Sequence, residues 1–228
     1  MDILHHDEHT WIIEDGGVRC FLLEGEEKAA LIDTGMTVKN ILPTITRLTD
    51  KEVLCLNTHA DRDHIGSNTV FDTVCIGIHE LQHYAENGFD QKVVPLYEDD
   101  VIDLGDRRLR VIDLSGHTPG SIGFLDERNR VLISGDPIQR NGRVFMFGAQ
   151  RSLIGYVCSL ERLEKRKEGF DEIWPSHGDL PLDPSLIEIC KNDVEDLLEG
   201  KLSYEPLKIH DSSVRAYQGK ANIYLCDD

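Results

Sequence analysis

The chain has 228 residues, 40% hydrophobic and 29% charged, which is the balance of a globular protein long enough to bury a full core without disulfides. Lys and Arg number 24 against 42 Asp and Glu, a formal charge of −18, and such a surface repels phosphate backbones and anionic lipid, arguing against nucleic acid and membrane as partners. No apolar run nears the roughly 20 residues that cross a bilayer, and the opening Met1-Asp2-Ile3-Leu4-His5-His6-Asp7-Glu8 lacks the basic and apolar regions of a secretory leader, so a cytoplasmic protein is expected.

A single domain over residues 1–228 is expected, since no linker or low-complexity stretch interrupts the chain. Thr10–Glu14, Val18–Glu24 and Lys28–Ile32 alternate apolar and polar residues around turns and read as short strands. Thr37–Leu48 has helical spacing, broken by Pro43. Val53–Leu56 reads as a buried strand, Val74–Ile78 as another, and His79–Glu86 as a helix. Four strands follow at Val101–Leu104, Leu109–Leu114, Ser121–Leu125 and Val131–Ser134. Ser152–Lys167 is a helix with Leu153, Tyr156, Val157, Leu160 and Leu163 on one face. Ile173-Trp174-Pro175 ends a short strand; Asp183–Leu198 is a helix with Asp183 as its N-cap and Gly200 as its stop; Ala221–Leu225 closes the chain as a strand. Strands and helices recur twice, which fits a layered α/β protein. The six cysteines form no C-x-x-C pair and mostly sit in apolar stretches, as reduced, buried thiols do.

The chemistry is concentrated at strand ends. His59-Ala60-Asp61-Arg62-Asp63-His64 places four metal-ligating side chains within six residues, directly after an apolar strand. Gly116-His117-Thr118-Pro119-Gly120, Ser134-Gly135-Asp136 and Pro175-Ser176-His177-Gly178 each follow an apolar run as well. Four strand ends thus deliver His or Asp, with glycine nearby to let the backbone turn. The loop Gln139–Arg151 adds Arg140, Arg143, Phe145, Phe147 and Arg151; of these Arg143, Phe147 and Arg151 are expected to grip an anionic, partly apolar substrate. The other histidines, His5, His6, His9, His79, His83 and His210, are expected on the surface or satisfied in the core, with the first three on a flexible terminus.

In this order, His59-x-Asp61-x-Asp63-His64, His117, Asp136 and His177 resemble the metallo-β-lactamase superfamily of metal-dependent hydrolases, whose pattern is His-x-His-x-Asp-His followed by a His, a bridging Asp and a last His. Leu31-Ile32-Asp33-Thr34-Gly35 agrees with it, as does the helix before the last His. The resemblance implies an αβ/βα four-layer sandwich, two mostly antiparallel sheets face to face with helices outside and metals at one edge. It implies two divalent metal ions, one held by His59, Asp61 and His117 and one by Asp63, His64 and His177, with Asp136 between them. It further implies hydrolysis of an ester, thioester, lactone or related acyl bond of a small molecule by a metal-bridged hydroxide, oriented by Asp63, with Asp33 orienting a ligand histidine.

The sequence departs from the pattern at Asp61, which stands where the second His belongs. An oxygen-rich site suits iron or manganese better than a histidine-rich one, while zinc is the usual family metal. The same residue motivates an alternative: an iron-dependent oxidoreductase for oxygen, nitric oxide or sulfur chemistry, needing a separate electron donor. Only 51 residues follow His177, too few for the helical region that holds glutathione in glyoxalase II-like relatives.

Overall fold

The computed structural model describes residues 1–148, 150–209 and 211–228. Its first sheet has seven strands in chain order: β1 (Asp2–Asp7), β2 (Thr10–Asp15), β3 (Val18–Glu24), β4 (Lys28–Ile32), β5 (Glu52–Leu56), β6 (Thr73–Gly77) and β7 (Lys92–Leu96). β1 to β4 are antiparallel, but β4 to β7 pair in parallel, so half of this sheet departs from the antiparallel expectation. The reason is the connections: parallel neighbours need crossovers, and α1 (Leu42–Leu48), the long loop after β5 and α2 (Leu81–Glu86) supply them.

The second sheet holds β8 (Val101–Asp103), β9 (Arg108–Asp113), β10 (Ile122–Asp126), β11 (Val131–Gly135) and β13 (Glu172–Pro175), in the order β13-β11-β10-β9-β8. A third sheet, not foreseen beyond its closing strand, joins β12 (Arg143–Met146) to the C-terminal β14 (Tyr204–Ile209), β15 (Ser212–Gln218) and β16 (Ile223–Asp227). α3 (Leu153–Glu164) and α4 (Leu186–Leu198) complete the chain.

Alternation along the strands builds the layers. Ile12, Phe21, Ala30, Ile32 and Leu56 of the first sheet meet Leu109, Val111, Phe124, Ile133 and Trp174 of the second. Their neighbours Ile13, Leu22, Leu31 and Cys55 face outward, under Ile45 of α1 and Tyr84 of α2. On the far side, Leu114 and Leu132 pack against Tyr156, Leu160 and Leu163 of α3 and Ile187, Cys190 and Val194 of α4. The order is therefore helix, sheet, sheet, helix.

Several expected boundaries move for local reasons. The stretch from Thr37 becomes helical only at Leu42, with Pro43 in the first turn, where its missing N–H costs nothing. Residues 36–38 are instead held by Asp15, which accepts hydrogen bonds from the backbone N–H of Met36, Thr37 and Val38. Helix α4 begins at Leu186 rather than Asp183, whose carboxylate accepts from the Ser185 N–H in the turn before it. His5 and His6 lie on a paired strand, not a loose end: His5 stacks on Trp11 with ring centroids 5.5 Å apart and His6 meets Trp174 edge-on at 4.6 Å.

Candidate metal centre

The loops after β5, β9, β11 and β13 leave the same edge of the sandwich, and they carry His59 to His64, His117, Asp136 and His177. Tight backbone approaches bring them together. Gly116, before His117, has φ +132°, and a Cβ there would stand 2.3 Å from the Tyr156 nitrogen of α3. A Cβ on Gly120 would stand 2.2 Å from the Glu80 nitrogen. Glu80, fully buried before α2, accepts from the Ala60 N–H at 2.9 Å, the Thr118 hydroxyl at 2.8 Å and the Gly120 N–H at 2.9 Å. One carboxylate thus ties the His59 loop to the His117 loop.

Each of the four histidines is anchored through Nδ1. His64 Nδ1 donates to Asp33 Oδ2 at 2.7 Å, His117 Nδ1 to the Phe145 carbonyl at 3.0 Å and His177 Nδ1 to the Gly17 carbonyl at 2.8 Å. The Thr58 hydroxyl donates to Asp33 Oδ2 at 2.8 Å, which leaves its oxygen to accept from His59 Nδ1 at 2.9 Å. Acceptors at every Nδ1 fix one tautomer, so every Nε2 carries a lone pair and points inward. Asp33 orients His64 directly and His59 through Thr58.

The inward atoms fall into three overlapping groups: two that share no residue, and a third, His59, His64 and Asp136, that takes one histidine from each of them. In the first, His117 Nε2 lies 3.3 Å from His59 Nε2 and 3.3 Å from Asp61 Oδ2, and His59 Nε2 lies 3.6 Å from Asp61 Oδ2. In the second, Asp63 Oδ2 lies 3.5 Å from His64 Nε2 and 3.1 Å from His177 Nε2. Asp136 faces both: Oδ1 lies 3.2 Å from His64 Nε2 and 3.4 Å from His177 Nε2, while Oδ2 lies 3.6 Å from His117 Nε2. Donors bonded tetrahedrally to one cation at about 2.0–2.1 Å stand about 3.4 Å from each other. Both groups have that spacing.

The electrostatics point the same way. His64 Nε2 and Asp136 Oδ1 are buried, and among the described residues neither has a hydrogen-bond partner of good geometry. Burial alone would raise the carboxyls of Asp61 and Asp136, yet the facing histidines hold both well below the ordinary value. Burial alone would lower His64, yet Asp136, Asp63 and Asp33 raise it well above its ordinary value, so without a cation the carboxylates draw a proton onto the Nε2 lone pair that a metal would take in its place. His117, buried and beside the Arg151 guanidinium, is lowered. Three carboxylates and inward imidazole lone pairs make a cluster that demands positive charge, and the donor set of N and O atoms suits divalent metals.

A cavity of about 420 Å³ opens over the cluster, lined by Gly16, Gly17, Asp61, Asp63, Asp136, Gln139, Arg143, Phe145 and His177. Arg143 stands exposed in this wall. Phe147 does not line it and packs beside Phe145, ring centroids 5.6 Å apart, so Phe145 supplies the aromatic wall in its place. Arg151 is not free to grip substrate: its Nη2 donates to both oxygens of Asp61, at 2.9 and 2.8 Å, and its Nη1 donates to the His117 carbonyl at 2.5 Å. The opposing carboxylate was in plain sight, but the pairing needs loops 90 positions apart to meet.

His83, expected to be a bystander, donates from Nε2 to Asp61 Oδ1 at 2.9 Å, and this hydrogen bond raises its pKa. Glu80 and the Gly16-Gly17 turn had no motif to reveal them. His210 lies outside the described residues.

Comparison with known proteins gives a consistent picture. The model of the metallo-beta-lactamase superfamily matches residues 13–204. The human acyl-coenzyme A thioesterase MBLAC2 is 28% identical, over 63% of this chain and 66% of that protein. A hydroxyacylglutathione hydrolase of Gloeobacter violaceus is 27% identical over 75% of this chain and 64% of that protein. The chain therefore spans just under two thirds of the length of these relatives. Among solved structures, a metallo-beta-lactamase from Pontibacter korlensis superposes with a TM-score of 0.72 at 21% identity, covering 86% of this chain and 99% of that one. An archaeal superfamily protein from Sulfolobus tokodaii gives 0.63 at 20% identity, covering 89% of each chain. At these identities the structures speak for the fold.

Proposed function

The chain belongs to the metallo-β-lactamase superfamily, and from that premise we propose that it is a dinuclear metal-dependent hydrolase of acyl bonds in small molecules, thioesters first. The observation that carries this reading is Asp136, with one oxygen turned to each of two donor groups. His59, Asp61 and His117 would hold one cation and Asp63, His64 and His177 the other. When bound, such cations polarise a carbonyl and bring the pKa of a water near neutrality. The preference for thioesters rests on the relatives, since acyl-coenzyme A and hydroxyacylglutathione are both thioesters.

The protein's own groups divide the remaining work. The Nδ1 anchors keep each imidazole aimed and in the acceptor tautomer. Asp63, the most exposed of the three site carboxylates, commits Oδ2 to the histidines and leaves Oδ1 to accept a proton-bearing oxygen at the cavity floor. Its pKa is lowered, because His64 and His177 outweigh its burial, so it orients water rather than acting as a strong base. Arg143 at the mouth would pair with an anionic group of the substrate, and Phe145 would cover its apolar part.

The test is elemental analysis of protein purified without added metal, then turnover on acyl-coenzyme A, acylglutathione, ester, lactone and phosphoester substrates. Thioester turnover with two zinc or manganese ions per chain supports the reading. Iron with oxygen consumption and no acyl turnover would replace it with the redox alternative. Arg143→Ala should raise KM about tenfold for acidic thioesters and leave neutral ones unchanged.

A further inference from the structure

The two donor groups differ in one fixed charge. Around Asp63, the ion-pair partners among the described residues are His64 and His177, both themselves donors, and Asp33 adds a second carboxylate behind His64 at 2.7 Å. Around Asp61 stands a full guanidinium, Arg151, bound to both carboxylate oxygens. His83 takes a further share of Oδ1, which leaves Oδ2 alone facing His59 and His117.

Arg151 cannot readily swing away. Its Nη1 donates to the carbonyl of His117 itself, the next residue caps α3, and the Ser152 N–H donates to the Gly116 carbonyl at 2.8 Å. Its side chain is 13% exposed. The segment between β12 and α3 is thus tied to the loop that carries a donor histidine, and it brings in the cation that occupies the donor carboxylate. A charge pair at this distance and burial is strong, and any divalent ion facing Asp61 Oδ2 meets the guanidinium across a single oxygen atom.

Resting on the two-cation reading above, we infer that Arg151 makes the two metal sites unequal. The Asp63–His64–His177 site, with Asp136, takes a divalent cation first and holds it. The His59–Asp61–His117 site takes the second weakly and exchanges it, because Arg151 competes for Asp61 and remains as a fixed positive charge. Asp61 does not make this a more anionic copy of a histidine site: its charge is already matched within the protein.

The experiment is calorimetric titration of the whole chain with Co²⁺ after chelation, with the fold checked by circular dichroism and site occupancy followed in the cobalt absorption bands. Wild type should bind two ions in steps separated by at least about thirtyfold in Kd. Arg151→Met should tighten the weak step by about tenfold or more and leave the tight step unchanged. Arg151→Lys keeps the charge and loses the fork, so its weak step should stay within about threefold of wild type. Asp63→Asn should remove the tight step. Arg151→Gln serves in place of the Met variant if that chain does not fold, with the same expected direction. Two equal steps in wild type, or an unchanged or weakened second step in Arg151→Met, would overturn the inference and leave the two-cation reading standing. A folded chain that binds no cobalt would overturn that reading itself.

Discussion

The two ends of the sandwich both bury charge, and they do so in opposite ways. At the end away from the candidate metal centre, Arg107 is 2% exposed and donates to Asp126, to the Thr10 hydroxyl and to the carbonyls of His9 and Glu24. Asp126 in turn accepts from the backbone N–H of Arg128 and Asn129. One cation meets one anion with every carboxylate lone pair used, although a cavity of about 340 Å³ lies beside them. At the other end, carboxylates and inward nitrogen lone pairs crowd together with buried acceptors left over. Cavity size does not separate structural from chemical sites here; satisfaction of the buried groups does.

Four single substitutions and one double variant break or sharpen that contrast. The largest effect is expected from Asp136→Ala, which removes the carboxylate common to both donor groups: metal content per chain should collapse, and kcat/KM should fall by about 10³-fold or more, measured by elemental analysis and kinetics on one preparation. At the satisfied end, Arg107→Met strands the Asp126 charge and should cost about 3–5 kcal/mol in denaturant unfolding. The double variant Arg107→Met with Asp126→Leu should recover most of that loss, and both should keep wild-type metal content. An equal loss in the double variant would show that the latch has a role beyond charge matching.

Asp33→Asn tests the support behind the donors. It keeps the shape of a residue that orients His64 and, through Thr58, His59, but weakens both hydrogen bonds, and metal affinity should drop about 10–100-fold with little change in stability. Asp15→Asn is the smallest. Burial would raise the Asp15 carboxyl, but hydrogen bonds from Thr37 and from the N–H groups of residues 36–38 hold it below its ordinary value. A lowered folded pKa stabilises above the ordinary carboxylate range and loses that contribution as pH falls through the folded value. The variant should therefore be about 1–2 kcal/mol less stable at neutral pH, with the difference shrinking below about pH 4.

That these residues would converge was legible because the candidate site is written locally: a strand, then His59 to His64 within one turn of chain, with glycines marking His117, Asp136 and His177. The layers were legible in the short apolar runs of β2 and β3, buried on both faces, and in the apolar stripe of α3. What stayed hidden was set by distance along the chain. Arg151 on Asp61, Glu80 across two loops and the Gly17 carbonyl on His177 all join segments that only the tertiary fold brings together. The parallel half of the first sheet was hidden for a related reason, since an apolar run such as Val53–Leu56 shows that a strand is buried but not which way its neighbour runs.

The most direct test is a crystal structure of the protein as purified, with anomalous scattering recorded at the edge of whichever metal it carries. Two peaks, one among His59, Asp61 and His117 and one among Asp63, His64 and His177, with the Asp136 carboxylate between them, are the expected result. A map with no peak at the end of β5, or with the metal seated elsewhere, would contradict the account.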